Sequence, residues 1–97
     1  MRVNWSKAAL SQLEKALDFI SGQGFIDYAI EVEDGIVSRI ENLPENYNIY
    51  PIDKYKNGND GSFRAFEFNE YRVSYRIKKS EIKILRIRHT SRKPLNY

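Results

Sequence analysis

The side chains with chemistry to offer crowd into the last third of this chain. From Arg72 and Arg76 through Arg86 and Arg88 to Arg92 and Lys93, lysines and arginines recur against the single acid Glu81. The only histidine, His89, lies in the same stretch, and Tyr97 follows it. Guanidinium groups stay charged and present forked donors, so a set of this kind suits phosphates or carboxylates. Acids gather earlier, as in Glu31-Val32-Glu33-Asp34, and the net charge is only +3. This asymmetry points to an anionic partner for the C-terminal half, either a nucleic acid or an acidic protein.

Each candidate also has a plainer reading. Arg72 could stack on neighbouring aromatics or pair with a carboxylate. Arg76, Arg86 and Arg88 suit a general basic face that meets phosphates or a partner's carboxylates. His89 titrates in the range of a general base, yet a histidine at a strand end also packs and hydrogen-bonds to backbone. Arg92 and Lys93 stand beside Pro94 as anion contacts, or belong to a flexible basic tail that includes Tyr97. Tyr47, Tyr50 and Tyr55 offer a base-stacking platform, but packing over a sheet explains them more simply. Without cysteine there is no disulfide or thiolate site, and one histidine leaves no dedicated transition-metal site or cofactor motif.

The elements that must position these residues are strands. Tyr71, Val73, Tyr75 and Ile77 alternate with Arg72, Ser74 and Arg76, the period-two pattern of a half-buried strand. Ile82, Ile84, Leu85 and Ile87 follow a short polar link, which makes an antiparallel hairpin. Simple alternation along the second strand would put Arg86 and Arg88 on the apolar face. A β-bulge at Ile84-Leu85, or burial on both faces there, removes the conflict. With the bulge, Leu85 and Ile87 return to the core, and Arg86 and Arg88 join Arg72 and Arg76.

Ninety-seven residues make one domain, 1–97, with a single core. Arg2-Val3-Asn4-Trp5 reads as an edge strand, and Ser6 as the N-cap of a helix carrying Leu10, Leu13, Leu17 and Ile20. Gly22-Gln23-Gly24 ends it. A second helix runs from Phe25 to Leu43 and stops at Pro44, with Gly35 inside it for close packing or a bend. Glu45 to Ser62 is irregular and extended, Asn57-Gly58-Asn59-Asp60-Gly61 is a turn, and Ser62 to Phe68 forms a strand bearing Arg64. The expected fold is α+β: an N-terminal strand, an αα-hairpin, then a three-stranded antiparallel meander. No apolar run approaches the ~18 residues of a membrane span, and no signal-peptide pattern opens the chain, so the expected location is cytoplasmic.

The Tyr71-Arg72-Val73-x-Tyr75 strand, the Ile/Leu strand after it, the His89-Thr90-Ser91-Arg92 ending and Leu43-Pro44 together resemble the RelE/ParE toxin superfamily. The resemblance spans nearly the whole chain and implies the toxin half of a type II toxin–antitoxin module. Its partner would be a cognate antitoxin, acidic and partly disordered. Two activities occur on this fold: RelE-like mRNA cleavage on the ribosome, and ParE-like poisoning of DNA gyrase.

Cleavage through a 2′-OH needs a proton acceptor, cations for the crowded phosphate and a donor for the leaving oxygen. By resemblance, Arg72 and Arg92 match the RelE-like arginines, and His89 or Tyr97 the terminal histidine or tyrosine. The paired lysines expected on the preceding strand are replaced by Ser62-Phe63-Arg64-Ala65-Phe66, where Arg64 is the lone cation. The resemblance therefore leans to the ParE-like mechanism. An mRNA interferase is the alternative, and an inactive antitoxin-binding module the second.

Overall fold

The computed structural model describes residues 1–97. Its elements are β1 (Arg2–Trp5), α1 (Lys7–Gly22), α2 (Ile26–Glu41), α3 (Leu43–Asn46), β2 (Phe63–Phe68), β3 (Tyr71–Ile77) and β4 (Glu81–His89). No helix is long and apolar enough to cross a membrane. The expected α+β fold is present, with the antiparallel meander formed by β2, β3 and β4. The sheet itself has four strands, not three, and is mixed. β1 lies parallel to β4, with Arg2 facing Glu81 and Trp5 facing Ile84, so the order is β1-β4-β3-β2.

α1 and α2 cover one face of this sheet. Leu13 and Ile20 from α1, and Val32, Ile36 and Ile40 from α2, pack on Val73, Tyr75, Ile82, Ile84 and Ile87. The Tyr75 hydroxyl crosses the core to donate to the Tyr47 carbonyl at 2.8 Å, and burial pushes its pKa up to about 12. α2 ends at Glu41, earlier than its apolar pattern suggests. Leu43 is fully buried but belongs to α3, whose first turn holds Pro44. Proline is tolerated there because a first-turn N–H has no helical partner to lose. Pro44 opens a new turn as much as it closes the old one.

The register between β3 and β4 shifts after Ser74: Ser74 faces Arg86, whereas Tyr75 faces Ile84. Leu85 is therefore the extra residue of a β-bulge, at the predicted place. It does not return to the core as expected. A bulged residue has no cross-strand partner, so Leu85 stays half-buried while Ile84 and Ile87 on either side fill the interior. The bulge is pinned from α1. Ser6 Oγ accepts from Ala9 N–H as the N-cap and donates to the Leu85 carbonyl, each at 3.0 Å. The Ile87 N–H, left without a strand partner beyond β1, donates to Gln12 Oε1 at 2.7 Å.

The β2–β3 connection needs only Asn69 and Glu70, at φ 45° and 69°. Two successive left-handed residues are what the twist of a two-residue hairpin requires. Gly35 proves to be a close-packing site. A Cβ there would stand 2.1 Å from the Phe68 ring, which also lies under the Arg39 guanidinium, 4.3 Å from its centroid.

This contact sets the sign of a substitution. Gly35→Ala gains up to about 1 kcal/mol of helix propensity but must displace Phe68, an overpacking cost of about 1–3 kcal/mol. Urea unfolding is expected to show net destabilisation. In a Phe68→Ala background the same change is expected to stabilise, and a loss in both backgrounds would disprove the ring contact as the cause.

Candidate functional site

On the face turned away from the helices, the register builds three rows across β2, β3 and β4. Glu67, Arg72 and Arg88 form one, Ala65, Ser74 and Arg86 the next, and Phe63, Arg76 and Lys83 the third. The bulge makes this possible, because an unbroken ladder would have turned Arg86 toward the core.

A carboxylate absent from the residues expected from sequence organises this face. Asp53 lies in the segment between α3 and β2, and its N–H donates to the Phe63 carbonyl at 2.8 Å. The residue is only 2% exposed. Its Oδ1 accepts from Tyr55 N–H at 3.0 Å and from Arg72 Nη2 at 2.9 Å. Its Oδ2 accepts from the Tyr97 hydroxyl at 2.7 Å. Burial alone would raise the Asp53 pKa. The donors from Tyr97, Tyr55 and Arg72 outweigh burial and hold it below the usual carboxylate value. Arg72 gives its other arm to Glu67 Oε2 at 3.1 Å and stacks on Tyr55, 4.9 Å from the ring centroid.

The segment after β4 is docked, contrary to the flexible tail that composition alone allows. Thr90 N–H donates to the Glu70 carbonyl at 2.7 Å, and Arg88 Nη2 to the Lys93 carbonyl at 3.1 Å. Tyr97 N–H donates to the Tyr55 carbonyl at 3.1 Å, and the Tyr97 carbonyl accepts from Asn57 N–H. The Tyr97 ring meets Phe63 edge-on at 5.9 Å and lies 3.9 Å from the Arg86 guanidinium. Burial, and after it the bond to Asp53, raises the pKa of the Tyr97 hydroxyl. Residues 90–97 thus form a strap over the basic face.

Of the residues expected from sequence, Arg72, Arg86, Arg88, Arg92 and Tyr97 come together here. The four arginines, with Asp53, Tyr55, Glu67, Ser74 and His89 among others, line a cavity of about 60 Å³ beside Tyr97. Arg76 lies one row away, over the Phe63 ring at 4.6 Å, and Lys93 is exposed on the strap. Arg64 faces the other side of the sheet. It donates to the Tyr50 carbonyl at 2.8 Å and the Asn48 carbonyl at 3.3 Å, and so fastens the irregular segment. His89, at the end of β4, packs edge-on to Tyr71 at 5.1 Å, with Nδ1 2.7 Å from Ser91 Oγ. Asp53 had one faint sequence signal, an acid set beside Ile52 and Tyr55 in an otherwise aromatic stretch.

A second concavity lies on the helix side. Phe19, Phe25 and Tyr28 stand exposed around a groove of about 710 Å³ floored by Ile20, Tyr71 and Ile87. Lys15, Arg88 and Arg92 rim it.

An N-terminal strand, two packed helices and a terminal meander with a basic outer face define the RelE/ParE class of small α+β toxins. A family model described as "ParE toxin of type II toxin-antitoxin system, parDE" matches residues 3–94, and the chain belongs to that family. It is thus of the ParE type, a toxin component of a type II module. Among solved structures, one described as "Chromosomal ParDE TA system from P. aeruginosa" is similar at a TM-score of 0.71 and 21% identity. The match covers 92% of this chain and 95% of that one. At that identity the likeness bears on the fold alone. Among curated proteins there is no match.

The Asp53 hub should be visible in stability. Asp53→Asn leaves Arg72 short of one carboxylate, an expected loss of about 2–3 kcal/mol at neutral pH. A depressed folded-state pKa means that the unfolded chain binds the proton more readily. The Asp53 contribution is therefore present above the ordinary carboxylate value of 3.8 and is lost as pH falls through the lower folded value. Acid unfolding of the parent is expected to be steeper in that window than that of Asp53→Asn. Parallel curves would refute the assignment.

Proposed function

We propose that this chain is a cytoplasmic toxin directed at DNA gyrase and held inactive by an acidic antitoxin seated in the helix-side groove. The observation that carries the choice of target is the state of Arg72. A cation that stabilises a cleaving phosphate needs donors free to meet it. Both arms of Arg72 already hold carboxylates, Asp53 and Glu67. The Tyr97 hydroxyl is committed to Asp53, and its raised pKa makes it a weaker acid for a leaving oxygen. His89, at the end of β4, packs edge-on to Tyr71 with Nδ1 engaged by Ser91. These engagements favour a binding surface over a nuclease centre, in keeping with the ParE family and with the lysines absent from the β2 strand.

The groove supports the antitoxin part of the reading. Its exposed aromatics and basic rim suit an amphipathic helix with an acidic border. Affinity for such an antitoxin is expected to fall as salt rises, by screening of the rim charges. Phe19→Ala is expected to weaken it by roughly tenfold, as a central aromatic contact does. An affinity flat across salt would assign the interface to apolar contacts alone.

The target is tested with purified protein in two assays. With gyrase, ATP and supercoiled plasmid, cleaved DNA is expected to accumulate. Primer extension on an mRNA under translation is expected to show no new stops. Stops at ribosome-occupied codons without cleaved DNA would replace this reading with an mRNA interferase. Silence in both assays would leave an inactive antitoxin-binding module.

A further inference from the structure

The turn before β2 carries the only Asn-Gly pair of the chain, Asn57-Gly58. Side-chain amides are thermolabile groups in proteins, and their fate depends on the residue that follows. Gly58 has no Cβ to shield its nitrogen. It stands at φ 60°, with nothing within 4 Å of the place a Cβ would take. Both residues are exposed. The Gly58 N–H makes no hydrogen bond within the chain, and neither does the Asn57 side chain. The other asparagines are protected in one of two ways. Asn4, Asn46, Asn59 and Asn69 commit their side chains to hydrogen bonds. Asn42, Asn48 and Asn96 precede the bulky Leu43, Ile49 and Tyr97. The N–H groups of Ile49 and Tyr97 are also already bonded, to the Asn46 and Tyr55 carbonyls.

This turn is also an anchor of the strap. The Asn57 N–H donates to the Tyr97 carbonyl. Lys56 Nζ donates to the Asn57 carbonyl at 2.8 Å and lies over the Phe63 and Tyr97 rings, at 4.8 and 5.4 Å. Two residues on, the Asn59 side chain makes four bonds, donating to the Asp53 and Phe63 carbonyls and accepting from the Gly61 and Phe63 N–H groups. The main chain is therefore held on both sides of the peptide bond between residues 57 and 58.

From this placement we propose that Asn57 is a site of spontaneous deamidation, and that its isoaspartyl product releases the strap. The Gly58 nitrogen, its proton lost to water or hydroxide, attacks Asn57 Cγ. The Cγ–Nδ2 bond breaks, Nδ2 leaves with a proton as ammonia, and a cyclic succinimide remains. Water then opens the ring. Addition at Cγ gives aspartate, and addition at the main-chain carbonyl carbon gives isoaspartate. In the isoaspartate the chain runs through Cβ and Cγ, so the link to Gly58 gains one backbone atom. That atom is inserted between two fixed points. One is the single bond from the Asn57 N–H to Tyr97, and the other is the set of four on Asn59. The weaker anchor yields, and the strap loses its hold at Tyr97. The proposal concerns the lifetime of the strap and stands whether or not the target is gyrase.

The test ages the full native chain at neutral pH in H₂¹⁸O, beside the same chain unfolded in urea. Peptide mapping by mass spectrometry is expected to find ¹⁸O at residue 57 in both samples. An isoaspartyl methyltransferase is expected to label that peptide. Conversion confined to the unfolded sample, or led by another asparagine in the native one, overturns the site. The aged form carries one more negative charge and separates from the parent by ion exchange. In that fraction the Tyr97 amide, followed by NMR in a ¹⁵N-labelled chain, is expected to exchange its hydrogen roughly fivefold faster, as the loss of one hydrogen bond implies. Exchange at the parent rate overturns the link to the strap. Asn57→Gln, whose longer side chain disfavours the ring, is expected to age without conversion and to keep its strap. Freshly purified Asn57→Asp adds the charge without the extra backbone atom and is expected to exchange Tyr97 at the parent rate. Faster exchange in that variant would assign the effect to charge and overturn the backbone argument.

Discussion

The buried Asp53 carboxylate depends on three donors that come from three separate parts of the chain. Tyr55 supplies a backbone N–H from the loop before β2, Arg72 a guanidinium from β3, and Tyr97 a hydroxyl from the terminal strap. An unpaired carboxylate at that depth would be prohibitive. Loop, sheet and strap must therefore assemble together or not at all. The cost of burying the charge becomes a device for fixing the outer face, where no hydrophobic core exists to do so. On the helix side, ordinary apolar packing performs the same task.

The two faces thus have different physical origins and lend themselves to different roles. The covered face is held by close-packed aliphatic side chains, and its remaining groove, with Phe19 and Phe25 in solvent, is apolar at the centre and basic at the rim. The outer face is held by charge pairing and cation–π stacking, and its cavity is lined by charged and polar side chains together with Tyr55, Pro94 and Leu95. The β4 strand lies between them. Ile87 contributes to one and Arg86 to the other, Arg88 borders both, and a single bulged residue sets the division between Arg86 and Ile87.

The parts of this architecture legible in the sequence were those governed by short-range periodicity. Alternation from Tyr71 to Ile77 marks β3, and the clash between alternation and Arg86 marks the bulge. Gly35 in a helical pattern signals tight packing, and Phe68 supplies it. What could not be read depended on contacts between distant segments. Asp53 gains its role from Arg72 and Tyr97, and no local pattern pairs them. Leu85 looks like a core residue by composition, but its place within the bulge leaves it without a partner. Pro44 marks an end by its missing N–H, and the same property lets it begin α3. Arg64 was one more cation on a strand, until the irregular segment between Tyr47 and Pro51 gave it carbonyls to bind.

The parallel pairing of β1 with β4 has a consequence for how the chain comes to exist. Ser6 caps α1 and holds the Leu85 carbonyl, two residues separated by 79 positions. Closing so long a loop is entropically costly and slow, and the first strand has no sheet to join until the last one is present. During synthesis, which delivers the chain from its N-terminus at about 5–20 residues per second, the helices can form early but the basic face cannot. A nascent chain lacking β4 has neither the row that carries Arg86 nor the strap that carries Tyr97. Assembly of the working surface therefore waits for β4 and the strap, and a nascent chain that has delivered only the helices does not yet hold an assembled toxin.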